Sequence, residues 1–143
     1  LEIVGRITVH LNISTDAPDT DFTAKLVDLF PEGDGRELLL LDGIRRVKMR
    51  HSCEKPEPLL TNPDEIISLD VDLQSIAWVF NTGHRIGLHI SSSNAPRFEP
   101  NPNTGADHLT KDGETRIAHN KIHFGGPYAT CIELPVHPAD AAK

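Results

Sequence analysis

Cysteine is scarce in this sequence, and its placement limits the kinds of site that the chain can hold. The 143 residues include two cysteines, Cys53 and Cys131, and neither belongs to a CxxC or Cys/His cluster. A disulfide framework and a zinc site are therefore not expected. Two free thiols suit a reducing compartment, so the sequence predicts a cytoplasmic location.

Positive charge and long apolar runs are also lacking. Lys and Arg number 14 against 21 Asp and Glu, the formal net charge is -7, and no basic run is longer than Arg45-Arg46. Nucleic acid is not an expected partner, because its recognition needs a basic surface. A membrane partner is not expected either, because no apolar stretch approaches the roughly 20 residues that span a bilayer. The first ten residues also lack the apolar region of a signal peptide.

What the sequence has instead is short runs in which apolar and polar residues alternate. Apolar residues occupy every second position from Ile7 to Ile13, which is typical of a strand with one buried face. A second alternating run at 85–93 predicts a strand whose inward side chains are Ile86, Leu88 and Ile90.

The remaining runs and turns complete an all-β pattern. The sequence PEGDG at 31–35 predicts a turn that joins strands at 22–30 and 36–41 into a hairpin, whereas 44–51 fits either a short strand or one helical turn. No window keeps the i, i+3, i+4 spacing of a long helix. Other strands are predicted at 66–73, 115–124 and 130–136. Such short strands with Gly/Pro turns predict one antiparallel β-sandwich or jelly roll over residues 1–143.

Three consecutive serines, Ser91, Ser92 and Ser93, raise the question of a nucleophile. The serine of an α/β-hydrolase lies in a G-x-S-x-G turn between a strand and a helix, and no glycine here has that spacing to a serine. The serines continue the register of a strand, so we expect their hydroxyls to bond nearby backbone where the strand ends. His84 follows a turn and has no nucleophile beside it, so we interpret it as a hydrogen-bonded corner residue rather than a catalytic base.

Two groups of side chains could hold a metal ion. Asp16, Asp19 and Asp21 lie within six residues and could offer oxygen ligands to calcium, although their spacing is not that of an EF-hand. The simpler interpretation is that they bond the turn backbone or pair with an arginine. His119 and His123 are four residues apart, which on a strand separates their Cα atoms by about 13 Å and disfavours a shared metal. The sequence thus predicts no cofactor.

The segment after the serines has the composition of a loop with a fixed shape. Asn94, Asn101 and Asn103 are interspersed with prolines, which restrict the backbone while the amides bond to it. Arg97 and Phe98 then take a defined position, which we expect to face a neighbouring domain. Sugar binding by the same residues is the alternative, but one Trp and one Tyr leave few rings to stack on a sugar.

Several long motifs occur in a fixed order along the chain. They are D-x-D-F-x-A-K-L-x-D at 19–28, G-H-R-I at 83–86, and S-S-S-N at 91–94 followed by P-R-F and N-P-N-T-G. With these motifs, the chain from about Val4 to Val136 resembles the C-terminal domain of the X-Pro dipeptidyl-peptidase, cocaine esterase and α-amino-acid ester hydrolase family.

The resemblance implies a jelly-roll, galactose-binding-like sandwich that packs on the catalytic α/β-hydrolase domain of the same protein. It implies that the sandwich helps to wall the active-site cleft and contributes to contacts in a homo-oligomer. The Ser-His-Asp triad of such enzymes belongs to the α/β domain, so this chain alone is not expected to be active. The family's sandwich begins before Leu1, so the first strands here would leave an unpaired edge or an exposed apolar face.

Our main hypothesis is a non-catalytic domain of a serine hydrolase that acts on esters, X-Pro peptides or acylated substrates. The alternative is a stand-alone sandwich module that binds carbohydrate or calcium. We predict no catalytic or metal-binding residue, and the candidate structural or interdomain residues are Asp21, His84, Arg85, Asn94, Arg97, Phe98, Asn101 and Asn103.

Overall fold

Nearly every regular element of the chain is a β-strand. A computed structural model describes residues 1–33, 35–108 and 113–138. Its strands are β1 (Glu2–Thr15), β2 (Asp21–Leu29), β3 (Glu37–Arg46), β4 (Ile67–Val79), β5 (Arg85–Ser91), β6 (Asn120–Ile122) and β7 (Cys131–Glu133), and a 3₁₀ turn spans Val47–Met49. Within those ranges, no helix is long and apolar enough to cross a membrane.

The strands form two antiparallel sheets. One has the order β4-β1-β6, with β7 also paired to β1, and the other has the order β3-β2-β5. The predicted all-β antiparallel sandwich is confirmed. The first strand is not an edge, because β4 pairs with it on one side and β6 and β7 pair with it on the other. Of the two alternatives expected at the first strand, the unpaired edge was wrong, whereas exposed apolar side chains are present at Leu1 and Val4, which are 53% and 46% exposed.

The alternation that predicted β1 also builds the core. The inward face of β1 continues into that of its neighbour β4, and together they pack against the inward face of β2 in the other sheet. Each fully buried large apolar side chain contributes roughly 1.5–3 kcal/mol through loss of water contact. The buried apolar residues of these three strands include Ile3, Ile7, Val9, Leu11, Ile13, Phe22, Ala24, Leu26, Leu69, Val71 and Leu73.

Two strands are longer than predicted. Strand β3 continues through Asp42 and Gly43 to Arg46, beyond the predicted end at residue 41. Gly43 is needed within the strand, because a Cβ atom there would lie 2.4 Å from the carbonyl oxygen of Asp72 in the facing sheet. Strand β4 continues past Leu73 through Gln74, whose φ of 69° accompanies a shift in the β1–β4 register. The shift interrupts the alternation, which is why the predicted strand ended too early.

Other predictions were partly right. The 22–30/36–41 hairpin forms as β2 and β3, and the ambiguous segment 44–51 is the end of β3 followed by the 3₁₀ turn. The predicted strands at 115–124 and 130–136 shrink to the three-residue strands β6 and β7. Leu88 and Ile90 pack against the core as predicted, but Ile86 is 38% exposed at the start of β5, where the facing sheet covers it only in part.

Candidate functional site

The loop at residues 92–107, here called the corner loop, is attached to the outer face of the three-stranded sheet. Gly43 faces the other sheet, so its neighbour Asp42 points outward, as does Asp21 beside the inward Phe22. These two outward carboxylates accept hydrogen bonds from amides of the corner loop, Asn94 and Asn101. The loop is therefore anchored at two points on the sheet.

Asp21 is the centre of the second anchor. It is 2% exposed, and its two carboxylate oxygens accept hydrogen bonds from Arg46 Nε at 2.8 Å and Arg46 Nη2 at 3.1 Å. Asn101 Nδ2 donates to Asp21 Oδ1, also at 2.8 Å. This bidentate pair raises the pKa of the Arg46 guanidinium. The predicted role of Asp21 as a structural residue thus has a geometric basis.

Asp19 lies beside this pair and has no exposed surface. Its Oδ1 accepts from the backbone N–H of Lys48 at 2.8 Å, and its Oδ2 accepts from Asn101 at 3.2 Å. Burial raises the pKa of the Asp19 carboxyl above its ordinary value of 3.8, and the two hydrogen bonds oppose that rise. Deprotonation of Asp19 therefore weakens folding as the pH rises from 3.8 through its folded pKa.

Lys48 joins the 3₁₀ turn to the corner loop. Its side chain is only 8% exposed, and its Nζ donates to Asp107 Oδ1 at 2.7 Å. Asp107 is itself 88% exposed. The hydrogen bond from Lys48 is the main reason why the pKa of Asp107 lies below its ordinary value of 3.8.

A titration of Asp107 tests this contact. Because its folded pKa is lowered, Asp107 stabilises the folded state above pH 3.8, and that contribution is lost as the pH falls through the folded pKa. We follow the chemical shift of the Asp107 carboxyl carbon by NMR as the pH is changed. We expect the midpoint of this titration to lie below pH 3.8 in the unaltered chain and to move towards pH 3.8 in Lys48→Met. An unchanged midpoint in that variant would show that the ion pair does not form.

The first anchor involves Asn94 and Arg97. Asp42 Oδ2 accepts from Asn94 Nδ2 at 2.8 Å and lies 3.3 Å from Arg97 Nε. The Arg97 side chain is 62% exposed, and its guanidinium carbon lies 5.5 Å from the centre of the Phe98 ring. The N–H of Phe98 donates to the carbonyl of Asn94, which closes the turn. Arg97 is thus held in place with most of its surface facing outward.

His84 lies at a corner at the other end of the same sheet. Its Nδ1 is 2.8 Å from Asp28 Oδ1, and Trp78 Nε1 donates to Asp28 Oδ2 at 3.2 Å. Asp28 is 1% exposed, and the His84 ring lies 4.5 Å from the ring of Phe30. The interpretation of His84 as a hydrogen-bonded corner residue is consistent with these contacts, which join the two sheets through Trp78 of β4.

The two remaining candidate residues differ in accessibility. Arg85 is the first residue of β5, pairs with Leu29 of β2 and is exposed. Asn103 has a φ of 62°, its N–H donates to Asn101 Oδ1, and its side chain donates to the carbonyl of Arg116. Asparagine tolerates this left-handed conformation better than most residues. Asn103 therefore shapes the corner loop, whereas Arg85 is available for contacts outside the domain.

The side chains considered as possible metal ligands have hydrogen-bond partners within the fold. Asp16 accepts from the backbone N–H of His119 and lies 2.7 Å from its Nδ1, whereas His123 Nε2 lies 2.9 Å from Ser14 Oγ. The two histidines thus have separate partners, and with Asp19 and Asp21 all three aspartates of the possible calcium loop accept from donors of the domain. Across residues 1–33, 35–108 and 113–138, no group of three or more His, Cys, Asp or Glu could hold a metal ion.

Strand β5 ends at Ser91, two residues before the predicted end at residue 93. The hydroxyl of Ser91 donates to the carbonyl of Ser93, and the N–H of Ser93 donates back to that hydroxyl. Thr23 of β2 also donates to the carbonyl of Ser91. The Ser91 hydroxyl thus bonds nearby backbone at the end of the strand, as the sequence predicted for this residue.

Both cysteines, Cys53 and Cys131, are free and exposed.

Sequence reasoning missed several residues whose ion pairs and hydrogen bonds hold the corner loop. Asp42, Arg46, Lys48 and Asp107 lie far from their partners along the chain, and no local pattern links them. Asp28 is the exception, because in a half-buried strand a carboxylate on the face of Leu26 needs a buried donor. That signal could have indicated a partner such as His84.

The fold and this site together define a β-sandwich domain in which ion pairs and amide hydrogen bonds hold one surface loop in a fixed place. Residues 1–133 match the family described as the X-Pro dipeptidyl-peptidase C-terminal non-catalytic domain. The chain belongs to this family, so the resemblance drawn from the motifs is confirmed.

Named relatives of this chain are hydrolases. It is 41% identical over 137 residues to cocaine esterase of Rhodococcus sp. (strain MB1 Bresler), covering 95% of this chain and 23% of that protein. An aminopeptidase from a marine sediment Thaumarchaeota archaeon superposes with a TM-score of 0.84 at 26% identity over 94% of this chain and 23% of its own. An α-amino acid ester hydrolase gives a TM-score of 0.73 at 27% identity, and the match covers 95% of this chain and 24% of that one. The chain spans about a quarter of the length of these relatives.

Proposed function

We propose that this domain packs on the catalytic α/β-hydrolase domain of a longer polypeptide and helps to wall its active-site cleft. The observation that carries the proposal is the match to cocaine esterase, where the 41% identity covers nearly all of this chain but only 23% of the relative. A domain of the non-catalytic family acts through what it contacts, because its own residues supply no nucleophile elbow. Ester or amide hydrolysis would then be the activity of the longer protein.

The domain organisation follows from the same proposal. Residues 1–143 form one β-sandwich domain, placed after the catalytic domain in the longer polypeptide. The reading frame of the longer polypeptide should then encode a G-x-S-x-G motif upstream of Leu1. From the usual size of an α/β domain with a cap, we expect the motif about 200 to 350 residues earlier. Contacts between copies of the domain in a homo-oligomer are a further part of this proposal.

The candidate residues divide into those that support the surface and those that can contact the catalytic domain. Arg97 is 62% exposed and is held by Asp42, so its guanidinium is preoriented for a carboxylate or carbonyl of the catalytic domain. Phe98 lies beneath it, and Arg85 is exposed at the start of β5. The supporting residues are Asp21, His84, Asn94, Asn101 and Asn103.

Charge reversal in the longer protein tests this assignment. In Arg97→Glu we expect the two domains to separate at a lower denaturant concentration than in the unaltered protein. We also expect a reduced kcat/KM. The matched control is Lys121→Glu, an equal charge change at an exposed position of β6, for which both quantities should stay at the unaltered values. Equal behaviour of the two variants would contradict a place for Arg97 in the interface.

A further inference from the structure

Three oxygen atoms at the end of the corner loop accept hydrogen bonds from the ammonium group of Lys48. The Nζ atom of Lys48 lies 2.7 Å from Asp107 Oδ1, 3.0 Å from the Gly105 carbonyl oxygen and 3.3 Å from the Ala106 carbonyl oxygen. An ammonium group has three N–H donors, and here all three are directed at one three-residue segment. Two of the acceptors are main-chain oxygens, so the contact fixes the backbone of the loop itself.

A second cation holds the same segment from the end of β3. Arg46 Nη1 donates to the carbonyl of Asp107 at 2.6 Å, while its Nε and Nη2 bind Asp21. The guanidinium therefore connects the loop to the start of β2 in one rigid, planar group. Asn101 completes the connection by donating to both Asp19 and Asp21.

The base of this arrangement is fixed to the sandwich. The N–H of Val47 donates to the carbonyl of Thr20 at 2.9 Å, and the N–H of Lys48 donates to the buried Asp19 carboxylate. Lys48 is 6% exposed as a whole residue, so its stem has little freedom to move. The cation cannot follow the loop if the loop shifts, and each contact opposes such a shift.

We propose that Lys48 and Arg46 form a latch that holds residues 101–107 on the sandwich and so preforms the surface of the corner loop before any partner binds. The latch is a property of this chain; only the identity of the partner rests on the proposed function. A preformed loop does not have to lose side-chain and backbone freedom when a partner binds, so less of the binding energy is spent on ordering it. Arg97, at the other end of the loop, would thereby be presented in one orientation.

Backbone ¹⁵N relaxation of the 143-residue chain tests the latch. We expect order parameters at Asn103–Asp107 near 0.85 in the unaltered chain and below about 0.6 in Lys48→Met, the ranges of rigid and flexible backbone. Lys55→Met, at an exposed position in the 53–65 loop, should leave them unchanged. Asp107→Ala removes one of the three acceptors from an exposed side chain and should give an intermediate decrease.

Two outcomes would overturn the latch. One is an unchanged order parameter at 103–107 in both Lys48→Met and Asp107→Ala. The other is a decrease of the same size in β1 and β2, which would mean that the whole domain has loosened. A local decrease supports the latch, and if Arg97→Glu then has no effect in the longer protein, the interface proposal fails while the latch stands.

Discussion

Replacing Asp21 with alanine is expected to lower the free energy of unfolding of the chain by about 3 kcal/mol, because it leaves the partly buried guanidinium of Arg46 without its carboxylate partner. Arg46 is 23% exposed and would lose both of its hydrogen bonds to the carboxylate. Asn101 would also lose one of its two acceptors. Urea unfolding followed by circular dichroism measures the change, with the slope of the transition expected to stay constant.

The matched control for this experiment is Asp64→Ala, which removes a carboxylate from an exposed loop position. Exposed substitutions of this kind usually change stability by less than about 0.5 kcal/mol. Asp21→Asn should fall between the two, because the amide keeps one acceptor oxygen for Arg46. If Asp21→Ala cost no more than Asp64→Ala, the Asp21–Arg46 pair would not be a structural element of the domain.

Replacing Gly43 with alanine is the second substitution with a large expected effect. The new Cβ atom would lie 2.4 Å from the carbonyl oxygen of Asp72 and 3.1 Å from Leu73 Cδ2, so the two sheets would have to move apart. Overpacking of this kind costs about 1–3 kcal/mol, and the upper end is expected because the closest atom belongs to the backbone. Thermal unfolding of the variant should show a clearly lower Tm.

Ser75→Ala controls for a small change on the facing sheet, since Ser75 is exposed on β4. Its Tm should match that of the unaltered chain. A Gly43→Ala domain as stable as Ser75→Ala would mean that the sheets are not in close contact at Gly43, which would contradict the sandwich packing described above.

Much of the fold could be predicted from alternation alone. The regular pattern from Ile7 to Ile13 gave a strand and its buried face, because one side of an antiparallel sheet packs on the core and the other is polar. The pattern failed at Gln74, where the backbone has a positive φ, and at Asp42 and Gly43, where β3 continues although the apolar run ends at residue 41. These positions depend on the facing strand, which a local pattern cannot show.

The candidate site divides in the same way. Motif resemblance selected residues such as Asp21, Asn94 and Asn101 that anchor the corner loop. It did not select Arg46 or Lys48, because their significance comes from segments brought together only by folding: Lys48 meets Asp107 across 59 positions of sequence. Residues that hold a loop from outside it carry no signal within the loop itself.

The claim that this family member is non-catalytic is tested most directly by an esterase assay on the purified 143-residue chain. With an aryl ester, the chain and a variant in which Ser91, Ser92 and Ser93 are all replaced by alanine are expected to hydrolyse substrate at the same background rate. A rate well above background that is abolished by a serine replacement would contradict the account, because it would place a nucleophile within this domain.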